Sequence, residues 1–220
     1  MLNFSSIEEN YIKSIYSLQG KTDMVTTNAL SGILKTSPAS VTDMLKKLKA
    51  KKILEYKKYH GFRLNDTGKR EALKIIRRHR LWEFFLVKKL GMDWNNVHAI
   101  AEELEHVSSP ELITRLDKFL GEPTTDPHGD PIPNEKGEMP KLSQVLLSDY
   151  PLRKCGIVSS VGNQSEDMLK MLSHYGISIG AQIKVLKQFD FDGSLEIEIQ
   201  KQEAFNISKQ VAQNIFVYND

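Results

Sequence analysis

Two helical faces constrain this chain more than anything else in it. On one, His79 and Glu83 stand four residues apart; on the other, His98, Glu102, Glu105 and His106 stand at i, i+4, i+7 and i+8. At about 100° per residue, each set falls on one side of a helix. Imidazoles and carboxylates crowded on facing helices are costly unless a positive charge lies among them, and a divalent metal ion is the simplest candidate. Glu103 falls off this face and reads as surface.

Charge is unevenly spread. The net charge is +2, yet residues 1–80 carry 17 lysines and arginines against 7 acidic residues, while residues 81–149 carry 6 against 13. A basic front suits a polyanion and an acidic middle suits a cation; the plain alternative is a pair of solvated faces. The single cysteine, Cys155, excludes an intramolecular disulfide and fits a cytoplasmic location. The segment Met1–Ser6 lacks the basic and apolar regions of a signal peptide, and no uncharged apolar run approaches the ~18 residues of a membrane span.

The basic front reads as a winged helix. Ser5 and Ser6 can cap a helix over 5–20 with Ile7, Tyr11, Ile15 and Leu18 as its stripe. Thr26 or Thr27 opens a short helix to Leu34, and Ser37-Pro38 opens another to about Lys52, the helix-turn-helix order. Val41, Leu45 and Leu48 point inward. Thr27, Ser37, Pro38, Ala39, Ser40, Thr42 and Asp43 are small or polar and can approach base edges, while Lys46, Lys47, Lys49 and Lys51 can reach phosphates. Residues 53–65 form a hairpin whose tip carries Lys58, His60 and Gly61, the wing; Asp66 or Thr67 then caps a long helix to about Leu90. A winged helix that binds protein instead of DNA is the alternative.

The far end of that long helix, with Leu81, Trp82, Phe84, Phe85 and Val87, is too apolar for a solvated surface and suits a core joined to a second subunit. Helices over about 93–107 and 109–120 follow. The segment 121–141 holds five of the eight prolines, and its Asp126-Pro-His128-Gly-Asp130 stretch suggests a functional loop. Other metal readings fail on spacing: there is no His-Glu-x-x-His, Glu103-x-x-His106 is the sole Glu-x-x-His, and Cys155 has no partner cysteine. No Gly-x-Ser-x-Gly elbow appears. After about Leu146 the pattern turns to short strands around a helix over 165–175, with Leu195, Ile197 and Ile199 on one face and Glu196, Glu198 and Gln200 on the other. Glu166 and Asp167 are possible ligands there, or simply acidic residues at a helix start. The expected fold is mainly α with a small β part: a winged helix over 1–73, a helical dimerisation and metal segment over 74–141, and an SH3-like (FeoA-like) barrel over 146–220.

Taken together, the motifs His79-Arg-Leu-x-Glu83, His98-x3-Glu102-x2-Glu105-His106 and Asp126-Pro-His128-Gly-x-Pro-Ile-Pro133 resemble those of the diphtheria toxin repressor and manganese transport regulator family of metal-dependent repressors. The resemblance spans nearly the whole chain. It implies one metal site from His79, Glu83, His98 and His128, with Asp126 where relatives often carry cysteine and Asp167 or Glu166 from the C-terminal module. A second would use Glu102, Glu105, His106 and Asn10; the manganese branch has carboxylates at positions 10 and 102, and the iron branch has methionine and cysteine. Lys13 stands where some manganese sensors have glutamate. The all-oxygen and imidazole donor set favours Mn(II), with Fe(II) the alternative. The resemblance further implies a homodimer on a palindromic double-stranded DNA operator of metal-uptake genes, and no enzyme activity. A regulator with a purely structural metal, and more remotely a metalloenzyme, are the competing readings.

Overall fold

The computed structural model describes residues 3–20, 22–107, 109–200 and 202–219. Met1 and Leu2, where the reading for a signal peptide begins, lie outside the described residues. The chain divides into two compact units. The first comprises Met1–His79, Glu102–Leu116 and Ile132–Pro140; the second comprises Arg80–Ala101, Asp117–Pro131 and Lys141–Asp220.

The first unit opens with α1 (Ser6–Gln19), α2 (Thr27–Leu34) and α3 (Pro38–Ala50), followed by the hairpin β1 (Leu54–Lys57) and β2 (Gly61–Leu64). Local chemistry sets each start. Ser5 Oγ accepts the Glu8 N–H while Glu8 accepts the Ser5 N–H, a reciprocal capping box. Thr26 caps α2, and Ser37 caps α3 with Pro38 in its first turn. The core gathers Tyr11, Ile12, Ile15, Leu30, Val41, Leu48, Ile53, Phe62 and Leu64. Ile7 is 62% exposed and Ile12 is fully buried, so the apolar stripe of α1 runs through Tyr11, Ile12 and Ile15 and leaves Ile7 outside. An antiparallel β1–β2 register pairs Leu54 with Leu64 and Lys57 with Gly61.

The long helix α4 (Asp66–Lys88) starts on Asn65, whose Oδ1 accepts the Gly68 N–H, and not on Asp66 or Thr67. Helix α5 (Val97–Val107) begins four residues later than its sequence suggests, because residues 94–96 form a turn held by Asp93. Helix α6 spans Pro110–Leu120, with Ser109 as its cap. Among the described residues no helix is long and apolar enough to cross a membrane.

In the second unit an antiparallel six-stranded sheet runs in the order β3 (Val145–Leu146), β8 (Ile215–Asn219), β4 (Cys155–Val161), β5 (Gln182–Gln188), β6 (Leu195–Ile199), β7 (Phe205–Ile207). Helices α7 (Glu166–His174) and α8 (Lys209–Ala212) complete it. Alternate residues of β6 are buried, so Leu195, Ile197 and Ile199 join Ile183, Val185, Ile215, Val217, Leu169 and Leu172 in one core. The short β3, β7 and α8 have no counterpart in the sequence reading, since two to four residues carry too little periodicity to register.

Two predictions follow from the first unit. Gly61 takes φ +109°, and a Cβ there would stand 2.2 Å from the Val25 carbonyl oxygen; Gly61→Ala should cost roughly 1–3 kcal/mol in chemical denaturation. Burial tends to raise the Glu8 pKa, but bonds from Lys51 and Ser5 outweigh it and hold the group below its ordinary 4.5. A depressed folded pKa means that this stabilisation is present above the unfolded value and fades as pH falls through the folded one. Glu8→Ala should therefore cost about 1 kcal/mol at neutral pH, with the gap from wild type closing on acidification.

Candidate metal centres and nucleic-acid surface

In the second unit, Glu83 of α4 is 1% exposed and meets two histidines. His98 Nδ1 lies 3.2 Å from Glu83 Oε1, and His128 Nδ1 lies 3.8 Å from Glu83 Oε2. Glu83, Asp126 and His128 bring one ligand atom each within 4.8 Å of one another. His128 Nε2 contacts the Trp94 carbonyl oxygen at 3.0 Å, and its ring stacks on Trp94. A carbonyl only accepts, so Nε2 carries the proton and Nδ1 presents a lone pair; this buried nitrogen has no hydrogen-bond partner.

The loop bearing Asp126 and His128 is fixed mainly by hydrogen bonds. Asp126 Oδ1 accepts the backbone N–H groups of His128 and Asp130, at 2.8 and 3.0 Å. The His128 carbonyl accepts the Val161 N–H of β4. Gly129, at φ +84°, passes so near β4 that a Cβ would lie 1.8 Å from the Ser159 carbonyl oxygen. Arg80 bonds Asp130 at 2.7 Å and lies 3.4 Å from Asp126. Burial, then repulsion from Asp130 and Glu83, pushes Asp126 up to about 8 despite Arg80. Such a group holds a metal only by losing its proton. Asp167 stands exposed in the first turn of α7, outside this cluster, as does Glu166, which pairs with Lys170.

The first unit holds the other cluster. Glu102, Glu105 and His106 lie on α5, again with ligand atoms within 4.8 Å. Glu105 is fully buried. Its Oε2 contacts His79 Nδ1 at 2.7 Å, and its Oε1 accepts from Lys13 Nζ at 2.7 Å; Lys13 also lies 3.5 Å from Glu102. Burial raises the Glu105 pKa, but His79 and Lys13 more than offset this and hold it lowered. His106 Nδ1 bonds Glu9, which in turn accepts from Arg78, leaving the buried Nε2 with no hydrogen-bond partner and 3.5 Å from Glu105. The buried Oδ1 of Asn10 is likewise without a hydrogen-bond partner. Glu103 is exposed.

Both clusters fit a divalent ion on the same grounds. Carboxylates repel one another in a buried place, and an anchored imidazole turns a bare nitrogen towards them. The spacing placed His79 with Glu83, whereas its ring bonds Glu105 of the other cluster. Glu9, Arg78, Arg80 and Trp94 were not visible as spacing, because an anchor contributed by a backbone carbonyl or by a distant carboxylate leaves no local pattern.

The α3 surface is as polar and open as its residues suggest. Ser37, Pro38, Ala39, Ser40, Thr42, Asp43, Lys46 and Lys47 are exposed, and Thr27 is half-buried. Lys58 and His60 are exposed at the hairpin tip, beside Tyr59 at 89% exposure. Lys46 pairs with Asp43. Lys51 is turned inward: its ammonium bonds the Asn3 carbonyl and Glu8 and lies over the Phe4 ring, so it serves the α1 start and not a phosphate.

The fold and these clusters define a winged-helix chain with buried oxygen-and-nitrogen ligand sets and a small β module. Models of iron-dependent repressors match it in order: the N-terminal DNA-binding domain over residues 3–62 and the metal-binding and dimerisation domain over 65–134, followed by a FeoA domain over 145–219. A manganese-dependent transcriptional repressor solved in complex with manganese is 32% identical, with a TM-score of 0.85 over 96% of this chain and 99% of that one. The iron-dependent repressor IdeR of Mycobacterium tuberculosis (strain H37Rv) is 33% identical over 125 residues, 57% of this chain and 54% of that protein. A probable metal transport system membrane protein of Chlamydia trachomatis is 46% identical over 74 residues, 34% of this chain and 16% of that protein. The chain belongs to the family of iron- and manganese-dependent repressors typified by the diphtheria toxin repressor. It matches about half the length, or less, of these two curated relatives.

The anchors make a direct prediction. In the metal-free protein, long-range nitrogen–proton NMR should show Nδ1 as the unprotonated nitrogen of His128 and Nε2 as that of His106. The reverse tautomers would remove the basis for either ring as a ligand.

Proposed function

We propose that this chain is a cytoplasmic, homodimeric, Mn(II)-responsive transcriptional repressor of metal-uptake genes that binds a palindromic double-stranded operator. Its segments would be a DNA-binding part over 1–73, a dimerisation and metal part over 74–141, and the SH3-like module over 146–220. The observation that carries the reading is the pair of buried histidine nitrogens, His128 Nδ1 and His106 Nε2, bare and close to carboxylates.

One site would be held by Glu83, His98, His128 and Asp126; His79, read beside Glu83 in the sequence, bonds Glu105 in the first unit, and it and Asp167 of the C-terminal module are the remaining candidates. The other would be held by Glu102, Glu105, His106 and Asn10. A bound divalent ion would supply these carboxylates with positive charge beyond that of Lys13 and Arg80. The donors are oxygen and imidazole throughout, which suits Mn(II) better than thiolate or thioether sites do; Fe(II) is the second reading. The solved relative in complex with manganese supports this preference. Asn10 and Lys13 of α1 tie the second set to the winged helix through the helix they share, so ordering Glu102, Glu105 and His106 also orders α1. The winged helix would present Thr27, Ser37, Pro38, Ala39, Ser40, Thr42 and Asp43 to bases, and Lys46, Lys47, Lys58 and His60 to the backbone. Trp82 and Phe85, half-buried at the end of α4, and Phe119, 65% exposed, supply an apolar face for a second subunit.

The test is DNA binding by chelator-stripped protein on pooled genomic fragments, with Mn(II), anaerobic Fe(II), Zn(II) or no added metal. Tight, salt-sensitive binding with Mn(II) alone is expected. His79→Ala and Glu83→Ala should each abolish the metal dependence while leaving the far-UV spectrum unchanged. Equal binding in every condition would reduce the clusters to a structural role, and binding with Fe(II) alone would reassign the ion.

A further inference from the structure

The Glu102/Glu105/His106 cluster already contains a cation. Lys13 Nζ accompanies Glu105 at 2.7 Å and Glu102 at 3.5 Å, and its side chain is only 21% exposed. An ammonium bridging two carboxylates sits where their repulsion is greatest, which is also where a divalent ion would gain most. The neighbouring polar atoms fit such a shared position. His106 Nε2 and Asn10 Oδ1 are buried, and neither has a hydrogen-bond partner. Lys13 has only protons to offer. It satisfies the glutamates but can do nothing for an imidazole whose outward proton is already engaged by Glu9, whereas a metal ion would satisfy carboxylates, imidazole and amide together. The cluster containing Glu83, Asp126 and His128 differs: Arg80 engages Asp126 and Asp130 from the side, and His98 and His128 meet Glu83 with imidazole nitrogens.

We propose that Lys13 is a tethered cation that competes with a divalent ion for Glu102 and Glu105. This rests on the metal reading given above. Lys13 keeps Glu105 neutralised and α1 in place when metal is scarce. The second cluster therefore fills only at metal concentrations well above those that fill the first, and Lys13 must withdraw from Glu105 as it fills. One chain thus carries two thresholds for the same ion, set by a residue that need not touch the ion.

The experiment counts Mn(II) on the full-length, stripped protein by the EPR signal of the free ion, with a thermal melt beside each titration and no DNA present. Wild type should bind one Mn(II) per protomer tightly and a second weakly. Glu83→Gln should leave only the weak event. Adding Lys13→Gln or Lys13→Met to Glu83→Gln should tighten it by about tenfold or more, as expected for removing a unit charge from a part-buried site, while Lys13→Arg should leave it weak. The neutral Lys13 variants should also melt lower than their parent without metal and recover more on adding Mn(II), a gain that loss of a purely structural ion pair would not produce. Unchanged or weaker Mn(II) binding in Lys13→Gln and Lys13→Met, in protein that melts cooperatively, overturns the inference and leaves the metal reading standing. Absence of Mn(II) binding in wild type and all variants overturns both.

Discussion

A fully buried carboxylate that stays charged is the demand around which the first unit is arranged. Glu105 has no exposed surface, and its pKa is nonetheless lowered, because His79 and Lys13 each place a donor 2.7 Å from one of its two oxygens. Removing one partner from such a buried pair typically costs about 3–5 kcal/mol. That cost links α1, α4 and α5 through one side chain: Lys13 comes from the first, His79 from the second and Glu105 from the third. Glu9 and Arg78 add a second tie, through His106.

The second unit solves the same problem with different means. Its acidic groups are Glu83, Asp126 and Asp130, and Arg80 compensates two of them from outside the bare nitrogen of His128. Burial, then repulsion from Asp130 and Glu83, pushes Asp126 up to about 8 despite Arg80. One cluster thus meets its carboxylates with a lysine, the other with an arginine and imidazole nitrogens.

Periodicity made much of this legible. Histidine and glutamate at four-residue spacing drew attention to α4 and α5, although His79, read beside Glu83, bonds Glu105, and serine or threonine before a helical stripe identified the starts of α1, α2 and α3. What stayed hidden is contact between distant residues. The Lys13–Glu105 pair spans 92 positions and His106–Glu9 spans 97, and neither separation leaves a pattern in the chain. The Trp94 carbonyl that orients His128 is a backbone atom and would be written the same way for any residue. Ile7 and Ile12 are chemically equivalent letters, and only the packed core tells which is buried. Lys51 looked like its basic neighbours until the α1 start claimed it.

The contact between the proline-rich loop and β4 has a consequence for how such a chain can change. The loop is joined to the strand by the Val161 N–H and the His128 carbonyl, and Gly129 lies against the Ser159 backbone. No β4 side chain takes part in those particular contacts. Apart from Gln164, whose amide bonds Asp130, the β module can therefore change its side chains on β4 and still support the loop, provided that the strand keeps its path and position 129 carries no Cβ. Support by main chain separates the inheritance of a site from the inheritance of the domain that props it up, and lets one drift while the other is held.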